Sequence, residues 1–295
     1  MEIKTAKINV KLEADEFANI GSWDGSKLRG AIIQSVIDSN KCNGDCEHCS
    51  KECLVNKVFE YKKENIASLV ANPYIINGKF EDNVTRKLKF SIVLFGHATE
   101  LADYVVKLLN SLKVNTVDGN QVTFNIVDYS IENSVINTDN LDRVHEEMTN
   151  SAVRIVFDTP YVTKAKQWSI DAKTGEKYLN YRGVSVESFI RNCTSRVTSM
   201  YNAVLDGKHF DYETYLNELD KLEIVDSNIR QKKFSRHSSR TNRDQVINGD
   251  TGNFVLAGDL SKVYELIKFA SNLNIGKYCT MGFGKFHVEE VNMHD

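Results

Sequence analysis

Three groups of residues in this 295-residue chain combine types and spacings that can do chemistry. The most compact is Cys42, Cys46, Cys49 and Cys53, four of the six cysteines, in a C-x3-C-x2-C-x3-C run. Four thiolates so close together can close a tetrahedral zinc site. An iron–sulfur cluster uses the same ligand type, so the spacing alone leaves both open. No thiol of the group remains for an open coordination position, which predicts a structural site. The alternative is four free thiols on a surface loop. His48 lies inside the group as a bystander, a substitute ligand or a functional imidazole. Clustering of this kind, with Cys193 and Cys279 standing alone, fits metal ligation in a reducing compartment better than a disulfide framework.

The second group is Arg230–Arg243, which holds Arg230, Lys232, Lys233, Arg236, Arg240 and Arg243 and no acidic residue among them. Ser235, Ser238, Ser239, Thr241 and Asn242 interleave hydrogen-bonding groups. Guanidinium and hydroxyl groups together suit a phosphate backbone. A run of charge is also the ordinary composition of a solvated loop. Here, though, the acidic segment Asp211–Glu223 directly precedes it, so the charge is segregated. His237, between Arg236 and Arg240, stands out among the seven histidines. Histidine titrates near neutrality and serves as general acid or base. Neighbouring guanidinium groups would lower its pKa and steady a phosphorane-like charge.

The third group is the loop Gly276–Lys285, with Gly276, Gly282 and Gly284 alongside Lys277 and Lys285. Glycines allow close backbone approach and can aim N–H groups at an anion, and they also serve turns that need positive φ. The two lysines favour a phosphate contact. A nucleotide P-loop is excluded, because the strand–GxxxxGK[ST]–helix context is missing.

These groups need a scaffold, and the periodicity supplies one. Ile8, Val10 and Leu12 alternate with Lys7, Asn9 and Lys11 as a strand with one wet face. Leu28, Ala31, Ile32, Ser35 and Val36 form a helical stripe. A short extended piece at Asn72–Ile76 follows, then a strand through Leu88–Leu94, a helix over Thr99–Lys113 and a strand through Val122–Ile126. The second half repeats the order. A strand covers Val153–Phe157, a helix Val184–Leu205, and two short strands, Leu222–Ile224 and Phe254–Leu256, pair across a long polar insertion. A helix over Ser261–Leu273 and a strand at Phe286–Val288 close the chain. Two βαββαβ units make an α+β fold of tandem ferredoxin-like (RRM-like) modules. The expected domains are 1–146, carrying the four-cysteine insertion, and 147–295, carrying the basic insertion and the glycine loop.

Composition bounds the function. Apolar residues make up 41% and charged residues 26%, enough for packed cores, and the net charge of −3 gives no overall pull toward nucleic acid or membrane, leaving only local patches. No apolar run approaches the roughly 18 residues of a membrane span. Met1–Leu12 has no hydrophobic signal core, which predicts a cytoplasmic protein without a membrane partner.

Several segments together resemble a known family. They are Leu28-Arg29-Gly30-Ala31 in the first helix, the cysteine group followed by Val58-Phe59-Glu60, Leu94-Phe95-Gly96, and Phe157-Asp158-Thr159-Pro160. Phe234-Ser235-Arg236-His237-Ser238-Ser239-Arg240 and Gly282-Phe283-Gly284 complete the series. In this order, over nearly the whole chain, they resemble the CRISPR-associated endoribonucleases of the RAMP superfamily, which cut precursor CRISPR RNA within its repeats. The resemblance implies a cut without catalytic metal. A ribose 2′-OH attacks the adjacent phosphate, leaving a 2′,3′-cyclic phosphate and a 5′-OH. It implies a histidine base, His237 or His48, with Arg236 steadying the transition state. Arg230, Lys232, Lys233, Arg240 and Arg243 and the glycine loop would hold the repeat RNA. Relatives often carry tyrosine where this chain has His237, which leaves the base open between the two histidines. Non-catalytic relatives that hold guide RNA within an interference complex give the alternative expectation. A zinc-stabilised regulator without an RNA role is a third.

Overall fold

The computed structural model describes residues 2–21, 25–39, 70–79, 83–163, 167–170, 177–180, 184–205, 210–238 and 243–291. The chain divides into two compact units. The first comprises Met1–Thr138, Thr198–Phe210 and Thr280–Gly282, and the second Asp139–Val197, Asp211–Cys279 and Phe283–Asp295.

The first unit is built from β1 (Glu2–Gly21), α1 (Gly25–Ser39), β2 (Tyr74–Asn77), β3 (Asn83–Phe95), α2 (Ala102–Leu109), β4 (Leu112–Asn115) and β5 (Gln121–Asn137). Its antiparallel sheet runs β2-β3-β1-β5-β4. The alternating apolar residues set the register, with Ile8 opposite Ile92, Val10 opposite Phe90 and Leu12 opposite Leu88. The expected α1 stripe is inward, with Leu28, Ala31, Ile32 and Val36 buried against the sheet. Only the segment expected as helix over Thr99–Lys113 divides. A 3-10 turn covers Gly96–Leu101, α2 ends at Leu109, and Ser111 takes φ 63°. That left-handed residue ends the helix and releases Leu112 and Val114 into β4, an edge strand on β5.

The second unit contains β6 (Ser151–Tyr161), a small hairpin of β7 (Gln167–Ile170) and β8 (Lys177–Asn180), and α3 (Val186–Val204), whose last turns group with the first unit. It continues with α4 (Glu213–Leu216), β9 (Leu222–Ser238), β10 (Arg243–Gly258), α5 (Tyr264–Ser271) and β11 (Phe286–Val291). The main sheet runs β11-β6-β10-β9, all antiparallel. Each unit folds a βαββαβ core into a sheet with the first strand internal, adding the edge strand β4 in the first unit and the hairpin β7–β8 in the second, so the chain is a tandem ferredoxin-like fold. The second core is aromatic. Phe157 stacks on Tyr161 at 4.9 Å between centroids, and Phe189 meets Phe254 edge-on at 5.2 Å and Phe286 at 5.6 Å. Each such ring contributes roughly 1.5–3 kcal/mol through burial.

The basic insertion is not a loop, as the sequence suggested. β9 and β10 pair from Leu222↔Gly258 to Ser238↔Arg243, with one register shift between Val255 and Leu256, and form a long hairpin arm. No helix of the described residues is long and apolar enough to cross a membrane.

Candidate functional site

The arm displays the cationic group in strand register. Arg230, Lys232 and Lys233 are exposed on β9, opposite Thr251, Gly249 and Asn248. None of the three is ion-paired among the described residues. Phe234 and Ile247 pair across the ribbon and are buried. The Phe234 ring packs edge-on against Phe283 of the glycine loop at 5.5 Å, and the Lys232 ammonium lies 5.7 Å above the Phe234 ring. The arm is thereby fixed at its root and polar along its length. The backbone of Arg236 pairs with Gln245, that of His237 with Asp244, and that of Ser238 with Arg243, near the end of the hairpin. Consecutive strand positions belong to opposite faces of a ribbon. Arg240, His48 and the four cysteines Cys42, Cys46, Cys49 and Cys53 lie outside the described residues. Among those described, no group of three or more His, Cys, Asp or Glu side chains is placed to hold a metal ion. Cys193 and Cys279 are free and buried. Burial pushes the Cys193 thiol far above the usual range, so it has no nucleophilic or ligand character.

The glycine loop is folded for its own path. Gly276 has φ +85°, and a Cβ there would fall 2.3 Å from the Val162 carbonyl oxygen. Gly284 has φ +73°, and a Cβ would fall 1.9 Å from the Ile275 oxygen. The N–H of Lys277 donates to Val162 O at 2.7 Å, that of Gly284 to Pro160 O at 2.9 Å, and that of Lys285 to Thr159 Oγ1 at 2.9 Å. Gly276, Gly282 and Gly284 are buried. The glycines thus serve backbone closure, and the side chains of Lys277 and Lys285 are what the loop offers to solvent.

One constellation was not visible in the sequence because its members are 129 residues apart. His287 on β11 donates from Nδ1 to Asp158 Oδ1 on β6 at 2.7 Å and from Nε2 to Glu289 Oε1 at 3.3 Å. Lys285 Nζ lies 3.6 Å from Asp158 Oδ2. Partial burial disfavours the charged imidazole, but the bonds to the two carboxylates outweigh it and hold the His287 pKa above its ordinary value. The cluster is exposed and sets an imidazole, whose protonated form the two carboxylates favour, beside a lysine.

A sequence model of the CRISPR-associated endoribonuclease Cas6 matches residues 155–286, from the middle of β6 through the arm and the glycine loop to the start of β11. Residues 155–286 thus form a Cas6-type CRISPR-associated endoribonuclease domain. A second family model, an N-terminal domain, matches residues 3–154 and abuts the first. No curated protein matches the sequence. Solved Cas6 structures share the fold at low identity. A Cas6 product complex is 9% identical with a TM-score of 0.62, covering 97% of this chain and 99% of its own. Thermus thermophilus Cas6 is 11% identical with a TM-score of 0.55, covering 98% and 99%. A CRISPR-associated Cas6 protein is 17% identical with a TM-score of 0.50, covering 98% and 100%. With this domain, the chain is an endoribonuclease of precursor CRISPR RNA processing.

Proposed function

We propose that this protein cuts its repeat RNA without catalytic metal, by internal attack. An imidazole takes the proton from the ribose 2′-OH, the 2′ oxygen bonds to the adjacent phosphorus, and the P–O5′ bond breaks. A proton delivered to the departing oxygen gives a 5′-OH beside a 2′,3′-cyclic phosphate. The base is His237 or His48, and Arg236 stabilises the charge that builds on the equatorial oxygens. The His287 imidazolium, held by Asp158, is a third ionisable group of suitable type, on the side of proton release.

The observation that carries the reading is the arm. Arg230, Lys232 and Lys233 stand exposed and without ion pairs among the described residues. Unneutralised cations along a rigid ribbon suit a polyanionic strand, whose backbone is held by phosphate and 2′-OH contacts. Lys277 and Lys285 extend the cationic surface. Cys42, Cys46, Cys49 and Cys53 would hold a structural zinc, or an iron–sulfur cluster, four thiolates being a complete set for either.

The experiment is cleavage of a model repeat RNA in EDTA, with and without a deoxy substitution at the scissile nucleotide. Cleavage is expected with EDTA and is expected to vanish without the 2′-OH. A magnesium requirement, or cleavage of the deoxy substrate, would overturn the mechanism. His237→Ala and His48→Ala assign the base, the true one losing on the order of 10²–10⁴-fold in rate. RNA retained with no product in any condition would instead mark a binding subunit.

A further inference from the structure

Two acceptors on the arm have no donor. Asp250 of β10 is only 7% exposed, and among the described residues no hydrogen bond or cation reaches its carboxylate. Two positions earlier, Asn248 Oδ1 is buried and also without a partner. Residues two apart on a strand share a face, so both side chains belong to one face of the arm. Val246, on the same face and nearer the end of the hairpin, is 69% exposed. Opposite them on β9 are Ser235, Lys233 and Gln231, all exposed. The face thus passes from an open apolar residue, along a lysine, to two acceptors without a partner among the described residues.

A buried unpaired carboxylate is costly, and native chains seldom keep one without a use. Two adjacent acceptors select a ligand with two adjacent donors. Among nucleobases the guanine edge has that pattern, with N1–H beside the N2 amino group. On adenine and cytosine the amino group neighbours an acceptor nitrogen, which the carboxylate would repel. In uracil a single N–H lies between two carbonyls. We infer that Asn248 and Asp250 form a guanine-reading subsite, in which an unstacked base lies against Val246 and Lys233 meets its phosphate. The inference rests on the RNA-binding reading above and adds base specificity to it. The titratable groups around Asp250 are Tyr161 on β6, Lys233 on β9 and, beyond the tyrosine, Cys193 on α3. Burial raises the pKa of both Tyr161 and Cys193, which keeps them neutral, and pushes the Asp250 carboxyl up to about 6.

The test is binding of short uridine oligonucleotides carrying one central guanosine, inosine or adenosine, by fluorescence anisotropy at low salt. Inosine lacks only the N2 amino group. At about pH 7.5 guanosine is expected to bind on the order of tenfold tighter than inosine or adenosine, within the range of a bidentate base contact. The preference should shrink below about pH 6, because the protonated carboxyl loses the charge that strengthens its bond to the base. Asp250→Asn and Asn248→Ala should each erase it while leaving affinity for plain uridine unchanged. Equal affinity for guanosine and inosine, or a preference surviving in both variants, overturns the subsite and leaves the RNA reading standing. Failure to bind any oligonucleotide overturns both.

Discussion

Asp250 and His287 are ionisable groups whose surroundings displace them in the same direction, with opposite consequences. Burial alone raises Asp250 from 3.8 to about 6, so the folded chain binds that proton more tightly than the unfolded one. Its stability contribution is therefore lost as pH climbs from about 4 to about 6 and stays lost above, by at most about 3 kcal/mol for two pKa units and less where solvent screens the carboxylate. Asp250→Asn should recover much of that at about pH 7.5 and almost nothing near pH 4, measured by urea melts at the two values. An equal difference at both would show that the carboxyl is not the destabilising group. His287, by contrast, is stabilised as a cation by Asp158 and Glu289. Its contribution is present below the ordinary histidine pKa and fades as pH rises through the raised one. Half-exposed and screened by solvent, that contribution is small. An acid held at a cost in a basic arm and a cation held by carboxylates on a sheet face are side-chain arrangements that packing alone does not require.

The hairpin arm makes the most direct prediction about an element. If Arg230, Lys232 and Lys233 each neutralise a phosphate, replacing all three with alanine should lower the log–log salt slope of single-strand binding by about 2, at roughly 0.7 per contact. A slope unchanged in titrations at several salt concentrations would place the RNA elsewhere. The arm also shows what the sequence could and could not reveal. β1, β3, β6 and β11 were legible because one face of each is buried, so apolar residues recur with period two. The arm has few buried residues, among them Phe234 and Ile247, and its β10 strand carries Asn248-Gly249-Asp250-Thr251-Gly252-Asn253, the vocabulary of a turn. Backbone pairing with β9 makes it a strand, and no local pattern records that pairing. β4 was hidden for another reason. Leu112 continues the helical spacing of α2, and only the left-handed Ser111 separates them. The candidate cations were legible by type. The Asp158–His287 pair was not, because hydrogen bonding between β6 and β11 creates it from residues far apart in sequence.

The two units are not two consecutive lengths of chain. The first takes in Thr198–Phe210 from beyond the start of the second. Within it, the Ala71 N–H donates to Ser199 O at 2.9 Å, and Tyr201 packs against Phe210 at 5.3 Å. Gly96, at φ +57°, lies so close to Val204 that a Cβ would fall 2.7 Å from the valine Cβ. These contacts back β2 and the 3-10 turn with residues some hundred positions later. A fragment ending at residue 146 keeps every strand of the first sheet but exposes Ala71 and Gly96 where that segment lay. Losing several buried contacts, each worth about 1 kcal/mol or more, from a domain of this size removes much of its roughly 5–15 kcal/mol margin. The fragment 1–146 is therefore expected to melt well below the full chain, or without a cooperative transition, in circular dichroism. A fragment melting as cooperatively and as high as the whole would mean that Thr198–Phe210 contributes nothing to the first unit. Its two sheets would then be separable along the chain, as the bare order of strands and helices suggests.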